Sequence, residues 1–156
     1  MGSKSLDLRF LAEPTDVNFG GKVHGGAVMK WIDQGAFACA VNWCGGYAVT
    51  VYVGGIRFFK PIHIGNLVEI RSKLIHTGTS SMHISVDVYS KKPEDADYVH
   101  NTHCIIIFVA VNKENNPVPV PPFIPEGDEE VKLQQYALRL MGLRKAIEEE
   151  MQSFHV

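Results

Sequence analysis

Asn18-Phe19-Gly20-Gly21-Lys22-Val23-His24-Gly25-Gly26-Ala27-Val28-Met29-Lys30-Trp31-Ile32-Asp33 joins a glycine-rich loop to a segment of helical character. The helical segment runs on to about Trp43 and meets Gly45-Gly46, a stop signal for a helix. Val28, Met29, Trp31, Ile32, Phe37, Cys39, Ala40 and Val41 leave few polar positions on it. A helix apolar on nearly every side belongs inside a protein. One carboxylate, Asp33, stands within it, and aspartate is seldom buried without a partner. The rest of the chain is expected to build a wall around this helix.

Working outward, residues 1–9 read as a loose start with a short apolar patch at Leu8, Phe10 and Leu11, and Pro14-Thr15-Asp16 supplies turn chemistry. After the helix, strands are expected over Tyr47–Val53 and, beyond Gly54-Gly55, over Ile56–Lys60 up to Pro61. In Asn66–Thr77 the residues Val68, Ile70 and Leu74 face one way while Glu69, Arg71 and Lys73 face the other. Gly78-Thr79-Ser80 makes a turn into a second alternating strand, where Met82, Ile84, Val86 and Val88 interleave with His83, Ser85, Asp87 and Tyr89. A polar hairpin over 91–97 leads to a long last strand, Val99–Val111, with the continuous apolar run Ile105–Val109. Pro117–Pro125 reads as an extended linker. In residues 128–154 Leu133, Tyr136, Ala137, Leu140, Ile147 and Met151 recur at helical spacing opposite Glu148-Glu149-Glu150, an amphipathic tail helix. One helix buries its faces only if a curved sheet wraps it, so the expected class is α+β. The domain is read as 1–125 and the tail as 126–156.

Composition narrows the function. A chain of 156 residues suggests one domain with one hydrophobic core. The net charge of -2 carries no basic footprint for nucleic acid. Cys39, Cys44 and Cys104 form no C-x-x-C pair and read as reduced thiols. No apolar run approaches the ~18 residues of a membrane span, and no secretory segment opens the chain, so a cytoplasmic location is expected. His100 and His103, three apart on a strand, are expected on opposite faces and so not to form a metal site. There is no G-x-S-x-G, P-loop or dinucleotide fingerprint.

The pattern N-x5-H-G-G-x6-D, followed by R-F-F-K-P-I-x-I-G-N-L-V-E-I and T-G-T-S-S-M, resembles the hotdog-fold acyl-CoA thioesterases, in particular their YciA-like and brain-type acyl-CoA hydrolase branch. The resemblance covers roughly residues 8–112. It implies a long central helix wrapped by a curved antiparallel sheet. It also implies hydrolysis of acyl-CoA to free acid and CoA with no metal or organic cofactor. Homodimers or trimers of dimers, with sites at the dimer interface, come with it. Asn18 matches the family's active-site asparagine and Asp33 the carboxylate that activates water. Two glycines after Phe19, where many relatives have one, depart from the pattern.

The chemistry of the residues agrees with that assignment. A thioester needs a positioned water, a base and a holder for the developing oxyanion. The free N–H groups of a helix's first turn suit the oxyanion, and Gly25 and Gly26 leave no Cβ in the way. Those glycines equally suit close packing of the helix on a strand. Asp33 follows Gly26 by seven residues, about two turns on and nearly the same side. It reads as general base or, second, as nucleophile. The competing role is an i,i+3 pair with Lys30. Asn18 offers a donor and an acceptor, or serves as a turn residue. His24 either donates toward the carbonyl or shapes the loop. Arg57, Lys60, Ser80 and Ser81 are candidate contacts for the CoA phosphates, or ordinary strand ends. Two other readings stay open: an acyl-CoA hydratase or dehydratase of the same fold, and a non-catalytic acyl-CoA sensor. Asp16-x-Asn18 faintly resembles the hydratase motif, but Phe19 replaces its proline.

Overall fold

In the computed structural model, which describes residues 2–155, the glycine loop leads into helix α1, Gly25–Cys44. Met1 and Val156, the outer ends of the two segments read from sequence, lie outside the described residues. Val28, Trp31, Ile32, Gly35, Ala36, Cys39, Ala40 and Trp43 are buried, and their spacing of three and four places them in one stripe. The helix is therefore not enclosed on every side as its composition suggests. Met29, Lys30, Asp33, Gln34 and Asn42 are exposed along the remaining face. Gly45 ends the helix at φ 71°, a left-handed conformation, and its N–H donates to the Val41 carbonyl at 2.8 Å.

Five antiparallel strands carry this helix: β1 (Ser5–Leu11), β2 (Tyr47–Phe58), β3 (Leu67–Thr77), β4 (Ser81–Lys91) and β5 (Val99–Val111). Their spatial order is β1-β3-β4-β5-β2 and every strand touches α1. The expected number of strands is met by a different set. The supposed loose start is strand β1, paired in register with β3 through Leu8 opposite Ile70. Leu6, Leu8 and Phe10 alternate onto the core, where the Phe10 ring meets Trp31 edge-on at 4.9 Å. The two short strands expected on either side of Gly54-Gly55 are one strand, β2, which absorbs the glycines in a register shift with Gly55 at φ 65°.

Helix α1 fits closely against β3 at one position. A Cβ on Gly35 would stand 2.8 Å from Ile70 Cγ2 and 3.1 Å from Ser72 Oγ. Gly35→Ala is expected to lower unfolding stability by about 1–3 kcal/mol, because a packed core does not yield to added volume. Chemical denaturation of the two proteins measures it, and an unchanged midpoint would show that the helix shifts freely.

The second helix, α2 (Gly127–Phe154), covers the other face of the sheet, where Ala137 packs on Ile75 and Ile105. Both faces of β4 and β5 are thereby covered, which accounts for the unbroken apolar run Ile105–Val109. Residues 112–126 are not a loose linker. Val120 and Phe123 are buried, Trp43 Nε1 donates to the Pro121 carbonyl at 2.8 Å, and the Phe123 N–H donates to Thr77 Oγ1 at 2.8 Å. On the β1 edge, the buried Glu69 accepts from Arg9 Nε at 2.7 Å and from Arg71. Burial pushes its carboxyl up, and the two guanidinium donors outweigh this and hold it below its ordinary value.

Candidate active site

Asp33 projects from the open face of α1 beside β2, and Thr50 Oγ1 donates to its Oδ1 at 3.0 Å. Among the described residues Asp33 forms no ion pair, so the pairing with Lys30 that helix spacing permits is not made. Among the described residues the carboxylate is held from one side, through Oδ1, and Oδ2 has no hydrogen bond. Thr50 escapes sequence reading because it comes from the next element, across a helix-to-strand contact no periodicity announces.

Asn18 is exposed in the loop, and its side-chain oxygen already has work. It accepts the N–H of Gly20 at 2.9 Å and of Lys22 at 3.2 Å. This Asx turn holds the loop, with Gly21 at φ 76°. The side-chain amide has no acceptor among the described residues and remains a donor. His24 stands at the N-cap position without capping by its side chain; its backbone N–H donates to the Asp16 carbonyl at 2.8 Å, which aims the chain into the helix.

Gly25 and Gly26 follow at the first helical turn. The packing explanation for them finds little support within the chain. A Cβ at Gly25 would meet the Phe58 ring at 3.8 Å, an ordinary contact, and one at Gly26 would meet nothing within 4 Å. Gly25 and Gly26 are thus exposed and uncrowded, at the positive end of a twenty-residue helix. A hollow beside them is lined by Gly25, Val28, Phe58, Phe59, Lys60 and Thr102.

Lys60 therefore belongs with the helix start, and Arg57 is near it, its guanidinium 5.5 Å from the Phe59 ring centre. Ser80 and Ser81 lie elsewhere in the protomer. Ser81 pairs with Val109, which pairs with Val49, so the serines sit toward the C-terminal end of α1. Ser81 Oγ is occupied by the Gly78 N–H at 3.1 Å. Within one chain the four candidate CoA contacts do not form one site.

The expectation that His100 and His103 face opposite ways is overturned. Both rings meet one carboxylate oxygen, His100 Nε2 at 2.8 Å and His103 Nδ1 at 2.9 Å from Asp87 Oδ1. Tyr89 pairs with His100 and Val88 with Thr102, so Asn101 is an extra residue that resets the alternation. His103 Nε2 is 2.9 Å from the Tyr136 hydroxyl, which ties α2 to the sheet. Among the described residues no group of three or more metal-ligating side chains is assembled.

Against known proteins, residues 20–96 match the Thioesterase superfamily. The acyl-CoA thioester hydrolase YciA of Salmonella typhimurium is 34% identical over 119 residues, which cover 74% of this chain and 90% of that one. An acyl-CoA hydrolase from Staphylococcus aureus, solved with butyryl coenzyme A, coenzyme A and coenzyme A disulfide, superposes with a TM-score of 0.88 at 27% identity, over 96% of this chain and 92% of that one. A hexameric acyl-CoA thioesterase in its apo form superposes with a TM-score of 0.87 at 28% identity, over 92% of each chain. The Staphylococcus aureus hydrolase has also been solved with single alanine replacements of an asparagine, an aspartate and a threonine, successively 15 and 17 positions apart. Asn18, Asp33 and Thr50 have the same separations here.

Proposed function

The chain belongs to the thioesterase superfamily, and from that membership we propose that it hydrolyses acyl-CoA thioesters to a carboxylic acid and CoA. One observation carries the mechanism: Asp33, the one carboxylate of α1, stands on the open face of the helix with no ion pair among the described residues and is hydrogen-bonded by Thr50. It takes a proton from water as the oxygen attacks the thioester carbonyl. The carbonyl oxygen becomes an oxyanion held by the N–H groups at Gly25 and Gly26, with the Asn18 amide as a further donor. Collapse of the tetrahedral centre breaks the C–S bond and releases the CoA thiolate, which is protonated as the thiol. Direct attack by Asp33 to give an anhydride is the second route. No metal or organic cofactor has a part in either.

The geometry supports a site shared between two copies. Asp33 is seven residues past Gly26, which is about 10 Å along the helix axis. An oxyanion donor acts at about 3 Å from the carbonyl oxygen, and a second copy would let a base and a helix start approach one carbonyl from opposite sides. In that arrangement Asn18, Gly25 and Gly26 of one protomer face Asp33 and Thr50 of the other. Two features support such docking. Strand β2 is an edge with Tyr47, Val51, Val53 and Phe58 exposed, and the uncovered face of α1 lies beside it. The hexameric relatives support a trimer of these dimers. Lys60 and Arg57, near the helix start, are proposed contacts for the CoA phosphates, His24 is a proposed donor toward the carbonyl, and Ser80 and Ser81 reach a site only if another copy brings them. The unpaired thiols of Cys39, Cys44 and Cys104 support a reducing, cytoplasmic setting.

Thr50→Val is expected to lower turnover about tenfold or more, since a hydrogen bond to a charged group is worth about 1.5–3 kcal/mol. Steady-state rates check this, and unchanged turnover would remove Thr50 from the site. The activity itself is tested on a panel from acetyl- to palmitoyl-CoA by detection of free thiol. Hydration of an enoyl-CoA without thiol release would identify a hydratase. Acyl-CoA binding with neither product would identify a sensor.

A further inference from the structure

A cleft lies between α2 and the outer face of the sheet, on the side away from Asp33. Tyr52, Ile105, Ile107, Leu140 and Ile147 line it, and Arg144 stands among them as the one residue with a permanent charge. His83 also lines it, and burial pushes its imidazole down to about 4. The arginine is poorly satisfied. Its Nε is buried and makes no hydrogen bond, its closest acceptor lying off hydrogen-bond geometry, and its guanidinium sits 5.0 Å from the Tyr52 ring centre. That acceptor, Glu148 Oε1 at 3.4 Å from Nε, makes a loose ion pair from a side chain half turned to solvent, and it is the one carboxylate beside the guanidinium among the described residues. Buried polar atoms without a hydrogen bond are few in folded proteins and call for an explanation, of which a bound group is one where the atom borders a cleft. Leu143 and Ile147 extend the apolar surface outward from the cleft, 63% and 53% exposed.

We propose that this cleft binds an unbranched aliphatic monocarboxylate, its head on the Arg144 guanidinium and its chain along Ile105, Ile107, Leu140 and Ile147. A guanidinium offers paired donors matched to a carboxylate, and the walls offer apolar contact and few competing polar groups. One cation suits one negative charge. The several phosphates of CoA find no matching set of cations here, which separates this site from that of the thioester. That a fatty acid is also the product released on the opposite face of the sheet rests on the hydrolase reading. The binding itself does not.

Isothermal titration of the full-length protein with dodecanoate, in the absence of acyl-CoA, tests the site. One dodecanoate per chain is expected, undiminished by saturating CoA, with dodecanol at least tenfold weaker. Arg144→Met is expected to weaken dodecanoate at least tenfold and to abolish the preference over dodecanol. Leu140→Trp, which fills the cleft and keeps the charge, is expected to weaken both ligands. Absence of dodecanoate binding, its displacement by CoA, or unchanged affinity in Arg144→Met would each overturn the proposal. Thiol release from acyl-CoA is read separately, so loss of this site leaves the hydrolase reading standing, and the reverse.

Discussion

Asp33→Asn is expected to reduce hydrolysis by about 10²–10⁴-fold, the range a positioned general base supplies. Fold, assembly and acyl-CoA affinity should persist. The side chain is exposed within the protomer and its hydrogen bond to Thr50 is kept by an amide oxygen, so nothing structural is lost. What disappears is the capacity to accept a proton from water. Label in Asp33 after a single turnover in oxygen-18 water, from water opening an anhydride at the aspartyl carbonyl, would identify the nucleophilic route, because a general-base role cannot produce it. Near wild-type turnover in Asp33→Asn would exclude both and return the search to His24 and Asn18.

Acidification from pH 6.5 to pH 4 is expected to cost about 3 kcal/mol of unfolding stability through His83 alone. His83 is 3% exposed on β4 beneath α2, and burial pushes its imidazole down from 6.5 to about 4. The positive charges that His76 and Arg144 bring near it act in the same direction. The sign follows from proton counting. Between these two values the unfolded chain binds a proton that the folded chain excludes, so stability falls as pH falls and the loss is complete near pH 4. Glu69 and Asp87, whose carboxyls are held below their ordinary values, release their contributions only at lower pH. Urea denaturation across this range, compared with His83→Leu, isolates the effect. A slope that persists in the variant would assign the acid lability to other groups.

The long helix, the last three strands and the tail helix were legible in the chain itself, because each spans eleven positions or more and carries its own signal: alternation in β3 and β4, a β-branched apolar run in β5, and apolar residues at helical spacing in the helices. The glycine loop, the stop at Gly45 and the suspicion that falls on Asp33 are local as well. Strand β1 was not legible as a strand. A seven-residue edge strand earns its conformation from pairing with β3, not from its own propensity. Likewise Gly54-Gly55 reads as a break until β5 holds both halves of β2 in one ladder. The shared face of His100 and His103 depends on one extra residue in a ladder, which no count along the sequence reveals.

Sequence by itself thus determined the helix, the alternating strands and the identity of the one carboxylate set in an apolar run. Tertiary structure alone decided that Thr50 steadies that carboxylate, that the face bearing it stays open in a single protomer, and that Arg144 is left over an apolar cleft. The reason is physical: periodicity records which side of an element turns inward, whereas hydrogen-bond partners and uncovered faces arise only when elements distant in the chain are brought to contact.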